Sequence, residues 1–167
     1  MKNFLIICII FWNFAGIAVA APEKTQVIEM LEGRHWKLDV KQFKSLEEGT
    51  DSILIEIAGD TALINYLRFR ALEALSLFPT EKTAVFLERT ADKSFAALAR
   101  RGFESLKRGF TKTEPQRVKR LAARLLKHRN AQVRISAARV MRTLDAPRFE
   151  SFLKSETESW VRKEAQK

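Results

Sequence analysis

Apolar residues along this chain recur at spacings of three and four, with polar residues between them. One run holds Ile64, Leu67, Ala71, Leu75 and Phe78, and another Phe95, Leu98, Gly102 and Leu106. A third holds Val133, Ala137, Val140, Met141 and Leu144, and the last Trp160, Val161 and Ala165. That spacing is the period of an α-helix with one buried face. Shorter stripes lie between these runs: Ile53, Leu54 and Ile57; Ala84, Val85 and Phe86; Val118, Leu121 and Leu125; Phe149, Phe152 and Leu153. They predict a partner helix before each of the first set. Val27, Ile28 and Leu31 predict one more short helix near the start, against which Trp36, Leu38 and Phe43 would pack. Strand-like alternation is confined to His35–Val40, too brief to predict a strand.

The polar punctuation agrees with a chain of short helices. Pro22, Pro79, Pro115 and Pro147 all fall outside the periodic runs, where a helix begins or has just ended. Capping residues recur beside them. Thr80 precedes Glu81, Thr113 stands three residues before Gln116 as in a capping box, and Asp145 precedes Pro147. Asn130 and Thr157 precede further runs.

The longer runs superpose. Leu67, Leu98, Val133 and Val161 share one register, and four residues later come Ala71, Gly102, Ala137 and Ala165, all small. A repeated small site implies a repeated close contact between helix backbones. Arg68, Arg134 and Arg162 follow the apolar anchor in three copies, and Ala99 takes that place in the fourth. Helix pairs repeating about every thirty residues bury their apolar faces by stacking on their neighbours. Leu67-Arg68-x-x-Ala71, Val133-Arg134-x-x-Ala137 and Val161-Arg162-x-x-Ala165 resemble the second helices of HEAT-like repeats over residues 50–167. The resemblance implies an all-α, short α-solenoid of about four helix pairs. It also implies a binding scaffold, often with the second helices lining the concave side. Residues 21–49 carry no clear copy and are expected to cap the stack.

The first segment stands apart. After Lys2, residues 4–20 are almost wholly apolar and end in Ala18-Val19-Ala20. This pattern is expected of a secretory signal, residues 1–20, cleaved after Ala20, and it places the protein in the periplasm or outside the cell. The one cysteine, Cys8, lies in that segment behind Ile7, which argues against lipidation and leaves the remainder without disulfide or thiolate chemistry.

Charge adds an asymmetry. Residues 21–92 hold 9 Lys and Arg against 13 Asp and Glu, a net −4, whereas residues 93–167 hold 20 against 7, a net +13. The second half therefore suits an anionic partner, or forms a solvated basic surface. Two basic features stand out. Arg117, Arg120, Arg124 and Lys127 run beside the stripe of Val118, Leu121 and Leu125 as a ridge. On the second helices, the face two residues past each anchor carries Phe69 and Glu73, then Arg100, Glu104 and Lys107, then Ile135, Arg139 and Arg142, then Lys163. Phe69, Arg100, Lys107, Ile135, Arg139 and Arg142 are the candidate partner-binding residues, since apolar anchors amid arginine suit a protein interface. Both features can equally be ordinary surface and packing.

Catalytic chemistry finds no support. There is no glycine-rich phosphate loop, G-x-S-x-G or H-E-x-x-H. His35 and His128 are far apart, and His128 sits between Lys127 and Arg129, which disfavours a metal ion. Glu47-Glu48 and Glu56/Asp60 read as solvated charges or caps. The expectation is a protein without cofactor or metal that binds another protein, with an anionic polymer or lipid surface as the alternative partner.

Overall fold

The structure, a computed structural model, describes residues 22–46, 48–92 and 95–167. The expected signal segment, residues 1–20, and Glu47 lie outside the described residues. The described residues form ten helices and no strand: α1 (Lys24–Leu31), α2 (Val40–Lys44), α3 (Thr50–Gly59), α4 (Asn65–Leu75), α5 (Glu81–Ala91), α6 (Ala96–Phe110), α7 (Pro115–Leu125), α8 (Ala131–Leu144), α9 (Ala146–Ser155) and α10 (Ser159–Gln166). The chain is all-α.

Three of the expected caps form. Thr80 accepts from the Thr83 N–H at 3.2 Å, Asn130 from those of Gln132 and Val133 at 3.0 and 3.4 Å, and Asp145 from that of Arg148 at 3.2 Å. Two do not. Helix α7 starts at Pro115 with Glu114 in the capping position. The Glu114 N–H is tied to the Phe110 carbonyl at 2.7 Å, so the end of α6 sets this boundary and leaves Thr113 one residue too early. Before α10, the cap position falls on Glu158 rather than Thr157. The Glu156 carboxylate accepts from the Glu158 N–H at 3.2 Å and so occupies the turn. Segment His35–Val40 contains no strand; Asp39 instead caps α2 through the Gln42 N–H at 3.0 Å.

Most of the apolar stripes are buried where the chain is helical, while Ile53, Val85, Phe86 and Leu153 are half-buried. Leu54, Ile57, Leu67, Leu75, Leu98, Leu106, Val118, Leu121, Leu125, Val133, Met141 and Val161 all enter the core. Ile64 and Phe95 are exposed, although they open two of the periodic runs. Each occupies the capping position of its helix with extended backbone angles, and the helical period does not hold there. Trp160, in the first turn of α10, is also exposed.

Ala71, Gly102, Ala137 and Ala165 are all buried. Helices α3 and α4, α5 and α6, and α7 and α8 pack as pairs. The second helices then touch in succession, α4 on α6, α6 on α8 and α8 on α10. The last two helices depart from the pairing pattern, since α9 and α10 both pack chiefly on α8. Backbone proximity is closest along α6. A methyl group at Gly102 would stand 3.1 Å from the Leu87 carbonyl oxygen and from Cβ and Cγ2 of Thr90. One at Gly109 would stand 2.8 Å from the Ser76 carbonyl oxygen, inside van der Waals contact. The two glycines let α6 approach α5 on one side and the end of α4 on the other.

The arginines of the repeated register share one role. Each folds back onto the carbonyls that end the preceding helix or form the turn after it. Arg68 Nε donates to the Ala58 carbonyl at 3.3 Å, Arg134 Nη1 to those of His128 and Arg129 at 3.0 and 3.2 Å, and Arg162 Nη1 to that of Glu156. The last carbonyls of a helix lack intrahelical partners and carry its negative dipole end, so a guanidinium is favoured there. Arg70 treats α1 likewise. It donates to the Leu31 and Gly33 carbonyls at 2.6 and 2.9 Å, and its guanidinium lies 5.2 and 4.6 Å from the ring centres of Trp36 and Tyr66. Trp36 Nε1 donates to the Met30 carbonyl at 2.8 Å. This joins residues 22–46 to α4.

Arg134 also holds the Glu156 carboxylate, at 2.7 Å through Nε and 3.1 Å through Nη2, and Glu158 at 2.6 Å. The Glu156 side chain is 5 % exposed. These hydrogen bonds from Arg134 keep its carboxyl below the usual glutamate range, against the opposing effect of burial.

Two outcomes are expected. Gly109→Ala should destabilise the fold by about 1–2 kcal/mol despite the helix-forming gain of alanine, because the Ser76 backbone cannot step aside cheaply. Gly102→Ala should lie near neutral, since part of its contact is the Thr90 side chain; urea denaturation compares the two. Arg134→Met should cost about 3 kcal/mol by stranding Glu156, and Arg134→Met with Glu156→Met should recover most of it. In the unsubstituted chain the Glu156 contribution is complete above the usual glutamate range and lost as pH falls through the lowered folded value. Arg134→Met should reduce that acid-side loss in denaturation series run from about pH 6 to about pH 3, the Glu158 and Thr157 N–H groups retaining part of it.

Candidate partner-binding groove

A groove of about 420 Å³ crosses the outer faces of α4, α6 and α8. Helix α4 contributes Phe69 and Glu73. Helix α6 contributes Arg100, Arg101, Glu104, Ser105, Lys107 and Arg108, and α8 adds Gln132, Ile135, Ser136 and Arg139. The groove lies where α6 packs against α4 on one side and α8 on the other. Each presents the side chain two positions past its apolar anchor, Phe69, Arg100 and Ile135.

Five cations and two carboxylates line it, and they are unevenly matched. Arg108 Nη1 meets Glu73 Oε1 at 2.7 Å, and Lys107 pairs with Glu104. Arg139 Nη2 lies 3.6 Å from Glu164 Oε2. Arg100 and Arg101 are adjacent, and neither has an ion-pair partner among the described residues. Arg101 lies over the Phe69 ring, its guanidinium 4.4 Å from the ring centre. Partial burial, followed by the Arg100 charge, pulls its pKa below the usual arginine range, with Glu73 acting in the opposite sense. A guanidinium in this setting gains from an arriving anion that shares its hydrogen bonds. Ser105 is 5 % exposed, lines the groove, and its hydroxyl makes no hydrogen bond within the described residues. Ile135 is 3 % exposed and forms apolar floor.

The structure therefore brings Phe69, Arg100, Lys107, Ile135 and Arg139 to one place, as their register suggests. Arg142 lies outside the lining and donates to the Gln166 carbonyl. Arg139 also reaches α10, donating to the Glu164 carbonyl at 3.2 and 2.8 Å from Nε and Nη2. Both thus cap the end of α10. Arg101 and Arg108 lie three and ten positions past Leu98, on a face adjacent to the one two residues past each anchor. The adjacency of Arg100 and Arg101 was the one visible signal.

The basic ridge is a different matter. Arg117, 13 % exposed at its side chain, bonds Glu81 at 2.6 and 2.7 Å, Glu114 at 2.7 Å and Glu88 at 3.1 Å. The Glu81 hydrogen bond leads the effects that raise its pKa, over the opposing effect of burial. Arg124 Nη2 meets Asp92 at 3.0 Å. Arg120 and Lys127 are exposed, and Lys127 borders a second cleft with Arg148 and Phe152. Half of the ridge thus ties α7 to α5 and the residue after it. Of the paired carboxylates, Glu56 and Asp60 receive Lys24 at 2.7 and 3.7 Å, a link between α1 and α3. His128 Nδ1 accepts from the Asn130 N–H at 3.0 Å within a turn.

No protein-family model matches the chain, and no curated protein matches it in sequence.

Arg139→Ala with Arg142→Ala should loosen the end of α10, costing about 1 kcal/mol and speeding amide hydrogen exchange in α10 while leaving α4 unchanged.

Proposed function

We propose that this chain is a non-catalytic scaffold, a short HEAT-like α-solenoid, whose groove receives an acidic segment of a partner protein. The solenoid reading is supported by recurrence at three levels. The second helices touch in order, a small buried residue recurs at the same register position on each, and Arg68, Arg134 and Arg162 latch the same part of three of the four pairs. An exported site of action, periplasmic or secreted, is supported by the apolar run and the Ala18-Val19-Ala20 ending.

One observation carries the binding reading: Arg100 and Arg101 lie unpaired and adjacent in a groove with Phe69 and Ile135. The core-linked arginines elsewhere are occupied by carbonyls and carboxylates, so their charge adds little to recognition. Here two guanidiniums await acceptors beside apolar surface, the combination that fits a carboxylate-bearing peptide. Extended anionic polymers are less favoured, because Arg117 and Arg124 of the ridge are already engaged within the chain.

The test uses fluorescence anisotropy with a labelled ten-residue peptide rich in Asp and Glu, a lysine-rich control and a single-stranded oligonucleotide. The acidic peptide should bind and the lysine peptide should not. Arg100→Ala with Arg101→Ala should weaken binding at least about tenfold while the melting temperature stays within a few degrees. Preferred oligonucleotide binding, with a steep salt dependence and insensitive to that double substitution, would replace this reading with a polyanion surface.

A further inference from the structure

A second, smaller cavity of about 210 Å³ adjoins the groove and shares two of its walls, Lys107 and Arg139. Its other walls are Thr111, Val140, Thr143 and Leu144. Its character differs from that of the groove. Val140 is buried and Leu144 half-buried. The Thr111 hydroxyl is committed to the Lys107 carbonyl at 2.6 Å, so it offers no free donor to a ligand. Lys107 and Arg139, each facing a carboxylate of its own, stand at the junction. The surface thus changes from two unpaired guanidiniums to an apolar cup along the length of α6.

We propose that the groove and cup together read a two-part motif: one or two carboxylates at Arg100 and Arg101, then an aliphatic side chain seated among Val140, Thr143 and Leu144. This rests on the groove-binding reading above and specifies its partner. Helix geometry gives the spacing. From Arg100 to Lys107 α6 rises about 10 Å, and to Thr111 about 16 Å. An extended peptide advances about 3.3 Å per residue, so the acidic and aliphatic residues stand about three to five positions apart. A leucine-sized group fills the cup and removes apolar surface from water, while the carboxylates set the register.

Four labelled ten-residue peptides test this against the full chain by anisotropy. The first carries two glutamates and, four residues on, one leucine. The second has alanine for that leucine, the third places the leucine next to the glutamates, and the fourth reverses the order of the first to cover either chain direction. The first or the fourth should bind about tenfold tighter than the alanine and close-spaced peptides. Thr143→Trp, at an exposed position of the cup wall, should erase that advantage while leaving the alanine peptide's affinity unchanged. Thermal melting monitors the fold of this variant. Equal affinity of the leucine and alanine peptides in the unsubstituted protein overturns the two-part motif and leaves groove binding intact. An advantage that survives Thr143→Trp places the leucine elsewhere and overturns the motif too. Failure of every peptide to bind overturns both.

Discussion

Helix backbones can approach closely only where side chains are small, and this constraint organises the molecule. At Gly102 and Gly109 there is no room for a methyl group without pushing Leu87, Thr90 or Ser76. Ala71, Ala137 and Ala165 take the equivalent buried place on their helices. The two glycines set how near α6 lies to α5 and to the end of α4, and α6 supplies the middle of the surface it shares with α4 and α8. A larger residue at Gly109 would have to displace the Ser76 backbone, since a close-packed interior has little free volume to absorb the change.

Much of the positive charge of the second half serves the fold. Arg134 and Arg162 bind backbone carbonyls at the turns, Arg139 and Arg142 cap α10, and Arg117 draws three glutamates together. Arginine suits this role because its planar fork can serve several acceptors at once and stays charged. Net charge alone is therefore a poor guide to where a ligand would sit. The informative quantity is the charge left without an internal partner, and along the groove that falls on Arg100 and Arg101.

The proposed role follows from combining these two features. Helices α4, α6 and α8 pack on one another in order, and a surface already assembled before binding loses little entropy when a flexible segment settles on it. Hydrophobic floor from Ile135 and the Phe69–Arg101 stack add contact area beside the unpaired cations. Neither α9 nor the segment before α3 contributes to this surface. Arg70 of α4 instead holds the segment before α3 through the Leu31 and Gly33 carbonyls, and α9 packs on α8.

The sequence alone determined the all-helical character, most helix ends, the buried stripes and the four small positions. All of these depend on residues close in the chain, through the 3.6-residue period and local capping. It also brought out five of the six residues proposed for partner contact as neighbours in register. Only the tertiary structure decided that Arg142 turns to α10, that Arg117 is neutralised, that Gly109 meets Ser76, and that α10 packs on α8. It likewise moved the start of α7 past Thr113, because the Phe110 carbonyl captured the Glu114 N–H. The reason is reach: a guanidinium on a long flexible stem binds whichever carbonyl or carboxylate packing brings near, and no spacing along the chain encodes that meeting.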